Sequence, residues 1–259
     1  MKIASISDVI YPFTTAGSEI RNYEILKRLS QKGHEVHLYG AKLWDGDDVV
    51  TMDGITIHGV SRFDTLIKPN KQGTPAQPVL LAVKIYTALL KKKFDIIDNL
   101  SFAFFNCYTA KLISMMHHTP LVMTWQQYFG DYLIGFMGKI NGNIIKNIEK
   151  HTMKLTPYNI ASSETVKKDL VNAGMKEQNI TVIYNGVDIE AISSIPDKQE
   201  KKYDLIYVGR LAYQKNPELL IKMFNIICKE IPYASLCIIG SGDKEQKIKT
   251  MAKEYNIEK

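Results

Sequence analysis

Cysteine is scarce in this 259-residue chain: Cys107, Cys228 and Cys237 are odd in number, and their spacing suits neither a disulfide framework nor a zinc site. They read as small core residues. No apolar run reaches the roughly 18 residues that a membrane-spanning helix needs. The opening Met1–Asp8 has the pattern of a short strand rather than a signal peptide, which points to synthesis and residence in the cytoplasm. A lone dinucleotide fingerprint, a nucleophile elbow, a His/Asp/Glu set at metal spacing, an internal repeat and a low-complexity tract are all missing. Metal-independent chemistry with no cofactor is the simpler expectation.

Hydrophobic residues make up 45% of the chain, enough for one large domain or two ordinary ones. The net charge of +6 and a pI near 9.0 are compatible with a polyanion, an anionic membrane face or a nucleotide. Nucleic acid is disfavoured, because the Lys and Arg residues are scattered instead of clustered with aromatics.

Short β-rich runs alternate with helical patterns from end to end. The runs are Lys2–Ser7, Glu35–Tyr39, Ile55–Val60, Phe94–Asp98, Pro120–Thr124, Asn159–Ser162, Ile180–Ile183, Asp204–Val208 and Ala234–Ile239. Such alternation predicts parallel sheets covered by helices. Ile20, Tyr23, Leu26 and Leu29 recur at helical spacing before the stop Lys32-Gly33-His34, completing a first βαβ unit.

The Pro- and Lys-containing stretch Phe63–Pro78 is expected to be a surface loop. Val79–Leu90 follows as an apolar helix that ends in Lys91-Lys92-Lys93. It is either a covered core helix or a membrane-facing one. Asn185-Gly186 and the polar run Ser193–Lys202 mark a domain boundary, giving a first domain over 1–190 and a second over 200–259. The second reads βαβα, with Leu220, Met223, Phe224 and Ile227 on the buried face of its first helix, about half a nucleotide-binding fold.

Three places could carry chemistry. Gly17 in Ala16-Gly-Ser-Glu19 opens a helix, where free N–H groups favour a phosphate, although a glycine there also serves as an ordinary turn. Arg210 and Lys215 lie between a strand ended by Gly209 and a helix started by Asn216-Pro217, read as N-cap and first-turn proline. A guanidinium and an ammonium fixed in one loop can neutralise a diphosphate, or they can be a solvated pair of charges. In Gly240-Ser-Gly-Asp243 the structural role dominates, with Asp243 and Gln246 forming a capping box.

In order along the chain, these residues resemble the family-four retaining glycosyltransferases of the GT-B fold. The resemblance rests on Ser7-Asp8…Pro12…Gly17-Ser-Glu19, Leu29…Gly33-His-Glu-Val36, Ser163…Lys167…Leu170, Ile183…Asn185-Gly-Val-Asp188, Val208-Gly-Arg-Leu…Lys215 and Ile238-Ile-Gly-Ser-Gly242. It implies an α/β GT-B protein, with an N-terminal Rossmann-like acceptor domain followed by an incomplete second Rossmann-like domain for the donor. The activity implied is hexosyl transfer from a nucleotide-sugar to a glycan or lipid-linked acceptor with retention. In that scheme Arg210 and Lys215 grip the donor diphosphate and Gly17 contacts the same phosphates.

Gln126, in Thr124-Trp-Gln-Gln-Tyr128, stands where close relatives carry a histidine near the reacting sugar; glutamine can hydrogen-bond there but cannot take up a proton. Family members also continue past the position of Lys259 with paired glutamates for the donor sugar and a helix returning to the first domain. The alternatives are therefore a non-catalytic subunit completed by another polypeptide and, less favoured, a nucleotide-sugar epimerase. Peripheral contact with the inner face of the membrane is compatible with the charge.

Overall fold

The computed structural model describes residues 1–62, 76–101, 104–196 and 201–258. It divides into two compact units, Met1–Val187 and Asp188–Lys259.

In the first unit β1 (Lys2–Ile6) leads into α1 (Gly17–Gln31), and Gly33, at φ 83°, stops that helix before β2 (Glu35–Lys42). A hairpin of β3 (Val49–Met52) and β4 (Ile55–Arg62) precedes α2 (Ala76–Leu89). The rest alternates through β5 (Ile96–Leu100), α3 (Phe105–His117), β6 (Leu121–Trp125), α4 (Tyr132–Met137), α5 (Lys139–Thr152), β7 (Tyr158–Ala161), α6 (Glu164–Asn172) and β8 (Ile180–Val182). The strands form one sheet in the order β3-β4-β2-β1-β5-β6-β7-β8, parallel except for the antiparallel β3. The change of direction at β1, with β2 on one side and β5 on the other, is the doubly-wound arrangement whose ligands gather at the carboxyl edge of the strands.

Two apolar clusters hold this unit. One joins α1 to the sheet through Tyr23, Leu26, Val36, Leu38 and Ile57. The larger packs α2, α3 and α6 on the sheet around Ile85, Ile97, Cys107, Ile113, Trp125 and Leu170.

The second unit contains α7 (Ile189–Ser193), β9 (Leu205–Val208), α8 (Pro217–Glu230), β10 (Leu236–Ile239) and α9 (Glu245–Glu254). Parallel β9 and β10 form a two-stranded sheet. Its fully buried apolar core is Leu211, Ile221 and Ile248.

Several local expectations need correction. Residues 63–75 of the expected loop lie outside the described residues, and 76–78 belong to α2, where Pro78 is tolerated in the first turn because its missing N–H has no helical acceptor there. α8 buries Pro217, Ile221 and Phe224; of the four residues expected on one face, Phe224 is buried, Leu220 and Ile227 are half-buried and Met223 is exposed, because Ile221 takes the inward position that the Leu-Met-Ile pattern leaves open. α9 begins at Glu245 without a side-chain cap, so Asp243 and Gln246 form no capping box. Only Cys107 is fully buried; Cys228 and Cys237 are half-buried. β3, whose Val49-Val-Thr-Met52 is too short to show alternation, was not foreseen.

Candidate functional site

The eight-residue connection from β9 to α8 is pinned by its neighbours. Gly209 N–H donates to the Ile239 carbonyl at 3.0 Å and Leu211 N–H to that of Ser241 at 2.9 Å, so the connection lies against the loop after β10. That loop can approach only because it is glycine-rich. A Cβ on Gly240 would come within 1.9 Å of the Gly209 oxygen, and one on Gly242 within 2.3 Å of the Leu211 oxygen. Lys244 N–H also donates to the Leu211 carbonyl, and Lys244 and Lys247 both pair with Glu218 in the first turn of α8. Leu211 is buried between these loops.

Out of this frame project Arg210 and Lys215, both exposed and without an ion pair among the described residues. Lys215 closes a 3-10 turn, Tyr213–Lys215. Asn216 then takes a left-handed conformation, φ 45°, and aims the chain into Pro217 at the first position of α8. Asn216 thus stands at the expected N-cap position, but its side chain does not cap the helix, since a left-handed backbone turns it away from the first-turn N–H groups. Those donors face the same loop as the two cations, a combination suited to an anion.

Gly17 and Gln126 belong to the carboxyl edge of the first unit's sheet. Gly17 is the first residue of α1, whose N-cap Ala16 is extended and supplies no side-chain acceptor. A Cβ at Gly17 would meet nothing within 4 Å, so no internal clash requires glycine there. Gln126 follows the last residue of β6. Its carbonyl accepts the Ser162 hydroxyl at 3.2 Å, while its side-chain nitrogen is buried without a hydrogen-bond partner. Beneath it Trp125 is fully buried and donates its indole N–H to Asn159 Oδ1 at 2.9 Å.

Glu149 of α5 holds the loop after Gln126 and was not picked out from sequence. Its carboxylate, fully buried, accepts the N–H groups of Phe129 and Gly130, each at 2.8 Å. Burial pushes its carboxyl above the usual range, opposed by those two hydrogen bonds. Gly142 lets α5 approach α4, since a Cβ there would lie 2.4 Å from the Ile134 Cα. A single glutamate in a Lys- and Ile-rich helix gives no local sign of burial. Gly142 two positions before Ile144 was the available hint of close packing.

Polar residues also meet at the carboxyl ends of β1 and β5. Asp98 accepts the Thr124 hydroxyl at 2.8 Å and the Ser5 hydroxyl at 3.4 Å, and burial raises its pKa. Arg21 donates to the Ile183 carbonyl at 3.2 Å, tying α1 to the end of β8. Asn106 donates to Asp8. Among the described residues no group of three or more His, Cys, Asp or Glu side chains could hold a metal ion.

A doubly-wound first unit and a second unit with a cationic strand-to-helix loop define a Rossmann-like GT-B architecture. The family model described as Glycosyltransferase Family 4 matches residues 15–191, and that described as Glycosyl transferases group 1 matches residues 188–259. The chain belongs to glycosyltransferase family 4. It is 29% identical over 112 residues to the lipopolysaccharide 1,6-galactosyltransferase of Salmonella typhimurium, covering 42% of this chain and 31% of that one.

The gpi3 subunit of the Schizosaccharomyces pombe phosphatidylinositol N-acetylglucosaminyltransferase is 25% identical over 262 residues, covering 98% of this chain and 54% of that protein. The chain thus spans about half or less of the curated relatives it matches. Among solved structures, sucrose-phosphate synthase of Thermosynechococcus elongatus superposes with a TM-score of 0.73 at 15% identity, covering 99% of this chain and 68% of that one. HepE of Anabaena, in complex with UDP and glucose, gives 0.66 at 16%, covering 100% and 67%. Both show a shared fold.

Proposed function

We propose that this chain acts in the transfer of a hexosyl group from a nucleoside-diphosphate sugar to a hydroxyl of a glycan or lipid-linked acceptor, with retention of configuration, and that Arg210 and Lys215 hold the donor diphosphate. The observation that carries the reading is the pinned β9–α8 connection, which presents two cations without ion-pair partners among the described residues beside a helix N-terminus. The C1–O bond to the diphosphate breaks as the acceptor oxygen bonds to C1. Negative charge then grows on the leaving phosphate, where a fixed guanidinium and ammonium stabilise it most. These cations neutralise the charge without a metal, so a chelator should leave binding unchanged.

The names of the relatives, a lipopolysaccharide galactosyltransferase and a phosphatidylinositol N-acetylglucosaminyltransferase subunit, support a glycan or lipid-linked acceptor. The uncapped N–H groups at Gly17 offer the first unit its own contact to phosphate. Gln126 hydrogen-bonds a sugar hydroxyl through its unpartnered amide nitrogen. Because an amide takes up no proton, the acceptor's proton passes to the departing phosphate.

A second reading, donor binding without turnover unless another polypeptide completes the second unit, is favoured by its bare sheet, where Ile206, Val208 and Ile239 are all more than half exposed. Isothermal titration with UDP tests the donor site. Wild type should bind and Arg210→Ala should bind about ten- to hundredfold more weakly, the worth of a charged hydrogen-bonding group. Absence of any UDP or other nucleoside diphosphate binding by wild type overturns the reading. Binding without sugar transfer selects the second.

A further inference from the structure

We infer that a lysine-walled cavity at the amino edge of the first unit's sheet is a second, independent binding site, for a soluble nucleoside polyphosphate. The cavity has a volume of about 710 Å³, within the range of sites that enclose a nucleotide-sized molecule. Two turns build it. One, 153–157, leads from α5 into β7, the other, 173–179, leads from α6 into β8, and Lys111 of α3 adds a third side. Gly17 and Gln126 lie at the opposite, carboxyl edge of the same sheet. The cavity is therefore remote from the first-unit residues proposed to handle donor and acceptor, and its identification does not depend on them.

The first observation is the charge of the walls. Lys111, Lys150, Lys154 and Lys176 all line the cavity, and no carboxylate does among the described residues. These four make no ion pair among the described residues, whereas Lys2, Lys27, Lys42, Lys146 and Lys167 of the same unit are each paired to an acid. The acids next to them in sequence are used elsewhere. Glu177 pairs with Lys167 at 2.9 Å, and Glu149 accepts the N–H groups of Phe129 and Gly130. Lys150 also borders a smaller cavity of about 260 Å³ with Asp131 and Asp169; Asp131 is paired to Lys146, and Asp169 to none of the four lysines. Four ammonium groups around one concavity repel each other and focus a positive potential into it, and a ligand with several negative charges relieves the one and uses the other.

The second observation is a fixed frame over an apolar floor. Thr156 donates its hydroxyl to the Leu121 carbonyl at 2.7 Å and accepts the Tyr158 N–H at 3.2 Å, while Leu155 N–H donates to the Thr152 carbonyl. In the other turn Gly174 takes φ 106°, and the N–H groups of Gly174 and Met175 donate to the carbonyls of Val171 and Leu170. Backbone held in this way is in place before a ligand arrives. Met153 and Met175, 5% and 6% exposed, form the floor. Thioethers pack well against a flat aromatic ring. A lysine rim answers a phosphate chain and a methionine floor answers a base, so the two together specify a nucleotide more closely than an inorganic anion, which would leave the floor untouched.

Isothermal titration of ATP into the 259-residue chain carrying Arg210→Ala and Lys215→Ala, which removes the proposed donor contacts, tests this site alone. That protein should bind one ATP, and more weakly at high salt. Adding Lys111→Ala, Lys150→Ala and Lys154→Ala should weaken binding about thirtyfold, near threefold for each lost contact, with an unchanged circular dichroism spectrum. Lys84→Ala/Lys91→Ala/Lys93→Ala, matched in charge and placed on and just after α2, should leave binding within about twofold. Tripolyphosphate should bind at least about threefold more weakly than ATP, for want of a base over the methionines.

In wild type saturated with UDP, added ATP should slow amide exchange in 153–157 and 173–179, a readout that needs no substitution. Absence of ATP binding by the Arg210→Ala/Lys215→Ala protein, an equal loss in the α2 control, or tripolyphosphate binding as tight as that of ATP overturns the inference. If the triple lysine variant misfolds, the exchange pattern decides. Should wild type fail to bind UDP while ATP still protects the two turns, the donor reading falls and this site stands.

Discussion

The two units differ in how they are held together. In the first, eight strands share one sheet and two apolar clusters fill both its faces, so residues such as Ile57, Ile97 and Trp125 have no exposure. In the second, two strands and two helices enclose an apolar cluster with three buried members among the described residues, Leu211, Ile221 and Ile248, and Val208 on its sheet is 70% exposed. Yet the second unit presents the cationic loop. Precision there comes from backbone fit, glycine against carbonyl, and from Glu218 clamping two lysines, in place of a large core. A surface loop can thus be positioned by backbone hydrogen bonds in a unit that carries little burial energy of its own.

The contrast predicts that the most severe single change lies far from the cations. Trp125→Ala should cost the first unit about 3–5 kcal/mol in urea unfolding, since it empties a fully buried site and strands Asn159 Oδ1. Glu149→Gln should cost roughly 2 kcal/mol, because its amide nitrogen would face one of two N–H donors. If either mutation left the first unit's stability unchanged, the difference in packing between the units would lose its meaning.

In the second unit, Gly240→Ala puts a Cβ into the Gly209 carbonyl and should cost about 1–3 kcal/mol locally. It should raise amide exchange in β9 and β10 and weaken nucleoside diphosphate binding while leaving the first unit's transition in place. Loss of that transition would make the units one cooperative block.

The smallest effect is a pH dependence confined to the first unit. His58, stacked on Tyr39 and 3.0 Å from His37, has its pKa lowered from 6.5 to about 4, chiefly by burial, with Lys92 and His37 adding repulsion. Its proton binds more readily in the unfolded chain. The stability it contributes is therefore present above pH 6.5 and is lost as pH falls from there toward 4. Partial solvent screening limits the loss to about 1 kcal/mol. His58→Phe should flatten that slope, and an unchanged slope would remove His58 as its source.

The motifs legible in the sequence turn out to be largely folding instructions. Ser163 is the N-cap of α6, accepting Val166 N–H at 3.2 Å, and Asp188 caps α7. Gly33 ends α1 with a positive φ, and Gly240 and Gly242 seat one loop on another. Such roles are local and leave a local signature, which is why the alternation of strands and helices could be read with ends shifted by up to three residues.

What remained unread depends on partners distant in the chain. Nothing around Glu149 foretells that it will meet Phe129 and Gly130, and nothing around Asn106 foretells Asp8. A Leu-Met-Ile helix such as α8 admits several buried faces until a sheet chooses one.

The order of apolar periods, caps and glycines therefore determined by itself an alternating α/β chain of this family, with Arg210 and Lys215 in one strand-to-helix loop. Tertiary structure alone decided which side chains face inward, which carboxylates are consumed in the interior, and that Lys111, Lys150, Lys154 and Lys176 gather at one cavity. Burial and charge complementarity are properties of surfaces assembled from separate segments, and no single segment contains them.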